Sequence, residues 1–137
     1  MFTIDENTLD ICMSYANTGA VEFAIYAKDE EISTVNDMIY VSIFDNQENE
    51  IFEKLYAIEE IATSDGTVFM WTFKLTHNES KAILPGDYTW DFTYWKDVVV
   101  TSGKPTDGTV VQTPFCERAR AQFRVQDTNS TALAKPS

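Results

Sequence analysis

Apolar and polar residues alternate along most of this chain with a period of two, and the alternating runs are broken by clusters of turn-forming residues. Leu9 to Tyr15 and Val21 to Tyr26 are the first predicted strands, separated by Asn17-Thr18-Gly19. Met38 to Phe44 and Ile51 to Ile58 follow as a predicted hairpin around Asn46-Gln47-Glu48-Asn49. Asp65-Gly66 marks another hairpin turn, because glycine supplies positive φ at no steric cost, and it leads into Val68 to Leu75. There Phe69, Trp71 and Phe73 share one face and Val68, Met70 and Thr72 the other, as expected of a central strand. Tyr88 to Trp95 alternates strictly, with Tyr88, Trp90, Phe92 and Tyr94 facing a core and Thr89, Asp91 and Thr93 facing water.

Helical signals are sparse. Thr76-His77-Asn78-Glu79 has the Thr-x-x-Glu form of a capping box, and Ser80 to Leu84 is predicted to make a single helical turn before Pro85-Gly86. Val98-Val99-Val100 and Val110-Val111 flank Ser102 to Gly108, which reads as a long loop or an extended hairpin tip. Ala121 to Val125 is the last predicted strand. Residues 126–137 are polar and aperiodic, as in a flexible tail or one ordered by a partner, which leaves residues 1–125 as one domain.

Seven to nine short strands, frequent turns and no long helix predict an all-β chain. The expected fold is an immunoglobulin-like antiparallel β-sandwich with one short helical turn and a flexible C-terminal tail, a β-barrel being the alternative. Its predicted core is Phe23, Ile25, Ile39, Val41, Ile43, Phe69, Trp71, Phe73, Trp90, Phe92 and Phe123.

Composition narrows the choice of partners. Of the 137 residues 22 are acidic and 10 basic, a formal charge of −12. Binding to DNA, RNA or an anionic membrane surface is not expected, since each needs clustered Lys and Arg. The opening MFTIDENTLD has no basic segment followed by an apolar run, so neither export by the usual signal nor membrane insertion is expected. The acid is concentrated in residues 1–65, where 15 acids meet only Lys28 and Lys54, a net of −13; residues 66–137 carry 8 bases and 7 acids. Such asymmetry either steers contact with a partner or another copy, or forms a solvated acidic face.

Chemistry is thinly provisioned. His77 is the single histidine and no nucleophile motif surrounds it, so it reads as a surface or cap residue and no enzyme activity is expected. Asp29-Glu30-Glu31 and Glu59-Glu60 supply carboxylates, but glycoside hydrolysis needs two of them at a defined spatial separation. Asp45 to Glu50 offers hard oxygen ligands yet fails the EF-hand pattern and reads as a hairpin turn; no metal or cofactor is expected. Cys12 and Cys116 bridge only if the end strands pair, and otherwise act as small buried apolar side chains. The candidate interaction surface is Trp95, Lys96, Lys104, Pro105 and Asp107, within Tyr94 to Thr109. Adjacent aromatics on a strand face opposite ways, so only one of Tyr94 and Trp95 can join a sugar-stacking surface.

Asp65 to Phe73, Thr76 to Ser80 and Leu84-Pro85-Gly86-Asp87-Tyr88-Thr89-Trp90-Asp91 together resemble the immunoglobulin-like N-terminal domain of phage baseplate upper proteins and related small virion proteins. Met38 to Phe44 followed by Ile51 to Leu55 is similar to the strand pair that precedes the hairpin in that family. The likeness runs from Val21 to Val125 and is sharpest at Leu84 to Asp91; between its last two strands this chain carries Lys96 to Arg118, where the family is short. The resemblance implies a non-enzymatic virion component that packs against other virion structural proteins, in many copies or as a homo-oligomer, and it transfers no catalytic residue. A module recognising host-surface glycans is the alternative expectation.

Overall fold

A computed structural model describes residues 2–25, 32–112 and 120–127. Among these residues ten strands are present: β1 (Phe2–Ile4), β2 (Ile11–Ser14), β3 (Ala20–Ala24), β4 (Met38–Phe44), β5 (Glu50–Ala57), β6 (Glu59–Thr63), β7 (Gly66–Lys74), β8 (Gly86–Thr101), β9 (Lys104–Gln112) and β10 (Ala121–Gln126). They form two sheets, one ordered β1-β2-β10-β8-β4-β5 with β9 also paired to β8, the other β3-β7-β6. The larger sheet does not close on itself, so the fold is a sandwich and not the alternative barrel. Its order is that of a variable-type immunoglobulin domain, with β3, β7 and β6 in the places of strands B, E and D, and β4, β5, β8 and β10 in those of C, C′, F and G.

One pair departs from the antiparallel expectation. β2 runs parallel to β10, with Phe123 opposite Ile11 and Val125 opposite Met13. Parallel neighbours need a long connection, and here nearly the whole domain lies between them. The end strands are therefore adjacent. Cys12 on β2 is half-buried, not fully buried as expected, because only Ile11 and Met13 on that strand face the core; Cys116 lies outside the described residues, as do Asp29-Glu30-Glu31 and most of the predicted tail.

The two facing aromatic layers make the core. Trp71 and Phe73 from β7 meet Trp90 and Phe92 from β8, with Phe73 stacked on Trp90 at 5.3 Å between ring centroids and Phe23 stacked on Trp71 at 4.8 Å. Phe23 and Trp90 approach to 6.0 Å between β3 and β8. An antibody domain joins those strands by a disulfide; this chain fills the gap with rings, each burying a large apolar area. Ile39, Val41, Ile43, Trp71, Phe73, Trp90 and Phe123 are buried as predicted, while Phe23, Ile25, Phe69 and Phe92 are only partly so. Ile11, Met13, Tyr56, Ile58, Leu75, Ile83, Tyr94, Ala121 and Val125 complete the core.

The corner between the sheets is built by Thr76 to Tyr88. Helix α1 (His77–Ala82) starts earlier than the predicted Ser80, because Thr76 is its N-cap: its hydroxyl accepts from the Glu79 N–H, and the Glu79 carboxylate accepts from the Thr76 N–H at 2.8 Å. The helix ends at Ala82, before Gly86. Ile83 is already extended, and Pro85 disfavours a helical Leu84, so Gly86 begins β8 instead of stopping the helix. The Tyr88 hydroxyl donates to the Leu84 carbonyl at 2.7 Å, two residues before Trp90, which is the geometry of an immunoglobulin tyrosine corner. Ser80 donates to the Asn17 carbonyl and Tyr15 to the Lys81 carbonyl, each at 2.7 Å, tying the corner to the β2–β3 turn.

Candidate interaction surface

The segment expected to carry recognition is a β-hairpin arm. β8 runs past the end of β4 at the Met38–Trp95 pair and continues to Thr101 against β9. Ser102 and Gly103 close the arm with φ of 54° and 77°, the two positive values of a tight I′ hairpin turn. Ser102 to Gly108 is thus mostly paired strand and not a long loop, and Val98-Val99-Val100 and Val110 lie along its two legs.

Halfway along the arm, Lys96 pairs with Thr109 and Val99 with Asp107, so Asp97 and Val98 together oppose Gly108. This is a β-bulge, which bends a strand. Asp97 has φ 51° and Gly108 φ 130°. A Cβ on Gly108 would lie 3.0 Å from the Lys96 carbonyl oxygen, so the close approach of the two legs also requires glycine there.

The base of the arm is fixed by Asp37, an aspartate 1% exposed. Its carboxylate accepts from the Tyr94 hydroxyl at 2.5 Å, the Ser33 N–H at 2.9 Å and the Asp97 N–H at 3.0 Å, and Lys96 Nζ stands 3.7 Å away. Burial alone would raise its pKa; the hydrogen bonds from Ser33, Tyr94 and Asp97, with the Lys96 charge, outweigh it and hold the carboxyl below its ordinary value. The Val98 N–H donates to the Asn36 carbonyl at 2.9 Å.

The tip reaches back over the body. Lys104 Nζ lies 3.0 Å from Glu53 Oε1 on β5, two strands away from β8. Neighbouring strands are about 4.8 Å apart, so the arm must curl across the outer face of β4 to make this contact. Beneath it Tyr40 donates to Glu53 at 2.7 Å and Ser42 to Glu50 at 2.6 Å. The hydrogen bonds from Glu50 and Tyr40 draw the Glu53 carboxyl down to about 2, while burial pushes the Glu50 carboxyl up. Ser42, though on the outer face, is buried. At the other end of that face Arg120 lays its guanidinium 3.6 Å from the Phe44 ring centroid and pairs with Asp91 and Glu48.

The five expected surface residues therefore have different situations. Trp95 is on the outer face and half-buried, its indole N–H without a hydrogen-bond partner among the described residues; Tyr94, its neighbour, is in the core as the alternation rule required. Lys96 is turned to Asp37 and Lys104 to Glu53, so both cations are engaged within the chain. Pro105 is half-buried, and Asp107 is exposed, accepting from the Gly108 N–H at 2.8 Å. Beside exposed polar residues such as Thr101, Thr106 and Thr109, the arm presents three aliphatic side chains to solvent: Val99, Val100 and Val110 are 51%, 42% and 49% exposed.

Other expected features resolve as structure. Asp45 Oδ1 accepts from the Gln47 and Asn49 N–H groups, closing the β4–β5 turn. Glu59 and Glu60 lie on the exposed strand β6, His77 is exposed in the first turn of α1, and among the described residues no group of three or more His, Cys, Asp or Glu is arranged to hold a metal. No described helix is long and apolar enough to cross a membrane. Asp37, Glu53 and Tyr40 were not singled out by sequence: isolated polar residues in or beside apolar runs carry no motif, and their roles depend on an arm 40 or more positions away. Protein-family models, curated proteins and solved structures were compared with the chain, and none matches it.

Proposed function

We propose that this chain is a non-enzymatic phage virion structural protein, a single immunoglobulin-like module that attaches to other capsid, neck, tail or baseplate proteins. The observation that carries the reading is the Leu84 to Asp91 corner, where the motif that resembles phage virion domains coincides with a tyrosine corner in an immunoglobulin-type strand order. Attachment runs through the arm. Val99, Val100 and Val110 stand on a paired, curled ribbon outside the core, and exposed aliphatic side chains favour burial against a neighbouring protein. The acidic balance of the chain adds salt sensitivity to contacts with a basic neighbour.

Mass spectrometry of purified particles of the phage that encodes the chain is the direct test. Detection at a fixed copy number per particle is the expected result, and absence from particles overturns the reading. A Val99→Asp, Val110→Asp variant that folds normally is expected to be lost from particles; full incorporation would exclude the arm as the attachment element. Binding of the purified chain to host cell-wall glycans in place of particle incorporation would instead support a glycan-recognition module.

A further inference from the structure

We propose that the distal arm, residues 99–107, is a hinged strap that swings about the Asp97-Val98/Gly108 bulge and is latched across the outer face of the large sheet by Lys104 on Glu53. This goes beyond the assembly reading and holds whichever partner the protein has.

Three observations separate the distal arm from everything below it. First, the proximal arm is heavily tied: Asp97 and Lys96 to Asp37, and Val98 to Asn36. Beyond Val98, among the described residues, the single polar tie from the arm to the body is the Lys104–Glu53 pair; the remaining hydrogen bonds, such as Thr106 to Val99 and Thr101 with Thr106, stay inside the arm. Second, of the three irregularities in the β8–β9 ladder, at Tyr94/Trp95, Lys96/Val99 and Val99/Val100, the one at the boundary is the one with positive φ on both legs. A ribbon bends most readily where its pairing is already broken. Third, the distal part has little apolar reason to stay down, since Val99 and Val100 are 51% and 42% exposed in the closed position. Few buried contacts and an ionic tie on a half-exposed lysine mark a segment at the low end of local stability.

The groups facing the latch are Tyr40 and Ser42 from β4, Glu50 from β5 and Lys104 itself. Opening the strap uncovers these groups. The ionic strength, not mild acid, is the natural release. Screening at about 1 M salt has a length near 3 Å, comparable to the ion-pair distance, whereas Glu53 keeps its charge well below pH 4.

Amide hydrogen exchange on the full chain tests this. Lys104→Gln and Glu53→Gln are each expected to speed exchange of residues 99–107 by about two- to fivefold, the range set by a partly exposed ion pair, while β4 and residues 86–95 keep their rates. Molar salt is expected to do the same to the unaltered chain. The charge-exchanged pair, Lys104→Glu with Glu53→Lys, restores slow exchange. Near-UV circular dichroism of the buried tryptophans confirms that each variant is folded. Unchanged exchange at residues 99–107 in both single variants overturns the latch, and acceleration that spreads equally through β8 overturns the hinge.

Discussion

The two halves of β8 are one continuous strand with opposite fates. Residues 86–90 pair with β10 and residues 89–95 with β4, and Trp90 and Tyr94 are set fully into the core. Residues 96–101 pair with β9 on one edge, lie beyond the end of β4, and leave Val99 and Val100 in solvent. Strand-forming residues fill both halves, so propensity does not distinguish them. The difference lies in what covers them: the first half alternates aromatic with polar residues and has a second sheet opposite, whereas the valines after Lys96 have none. Backbone pairing makes a strand, but only burial against another layer makes it a stable part of the core.

Breaking the proximal half should be severe. Trp90→Ala removes the ring stacked on Phe73 and next to Phe23, and a destabilisation of about 3–5 kcal/mol is expected by chemical denaturation. Asp37→Ala, at the junction, strips the shared partner from Tyr94, Ser33 and Asp97, for an expected loss of about 3 kcal/mol. The acid limb sharpens that test. Because the folded carboxyl is held below its ordinary value, its contribution is present at neutral pH and lost as pH falls below about 4. Asp37→Asn should therefore flatten the fall of stability in acid, measured as denaturation midpoint against pH.

Smaller effects follow along the arm and the corner. Gly108→Ala places a side chain in a conformation nearly reserved for glycine and against the Lys96 carbonyl, at an expected cost of about 1–3 kcal/mol by denaturation, or a local loosening of the arm seen by hydrogen exchange. Tyr88→Phe deletes the corner hydrogen bond and is expected to lower stability by about 1 kcal/mol with the fold intact. Val99→Thr in the distal arm should change stability least, within about 0.5 kcal/mol by denaturation. If Val99→Thr cost as much as Trp90→Ala, the contrast between the two halves would be wrong.

The charge asymmetry of the sequence acquires a plain intramolecular role. Lys96, Lys104 and Arg120 from the second half reach Asp37, Glu53 and Glu48 of the first. Three of the 15 acids of residues 1–65 are thus paired with cations of the second half, and two of those cations, Lys96 and Lys104, tie the arm to the body.

Alternation by itself determined the strands and their faces: β4 matches its predicted limits, and Trp71, Phe73, Trp90 and Phe123 are core because period-two patterning leaves them no other side. Thr76 and Glu79 determined the cap, since its atoms are three residues apart. Strand β6 escaped because its acidic residues alternate weakly, and β1 because three residues make too short a pattern. Only the tertiary structure decided the parallel β2–β10 pair, the curl of the arm and the joining of Asp37 to Tyr94 and Glu53 to Lys104. These contacts link positions about 50 to 110 residues apart, and local pattern fixes which way a side chain faces, not which distant strand it will find there.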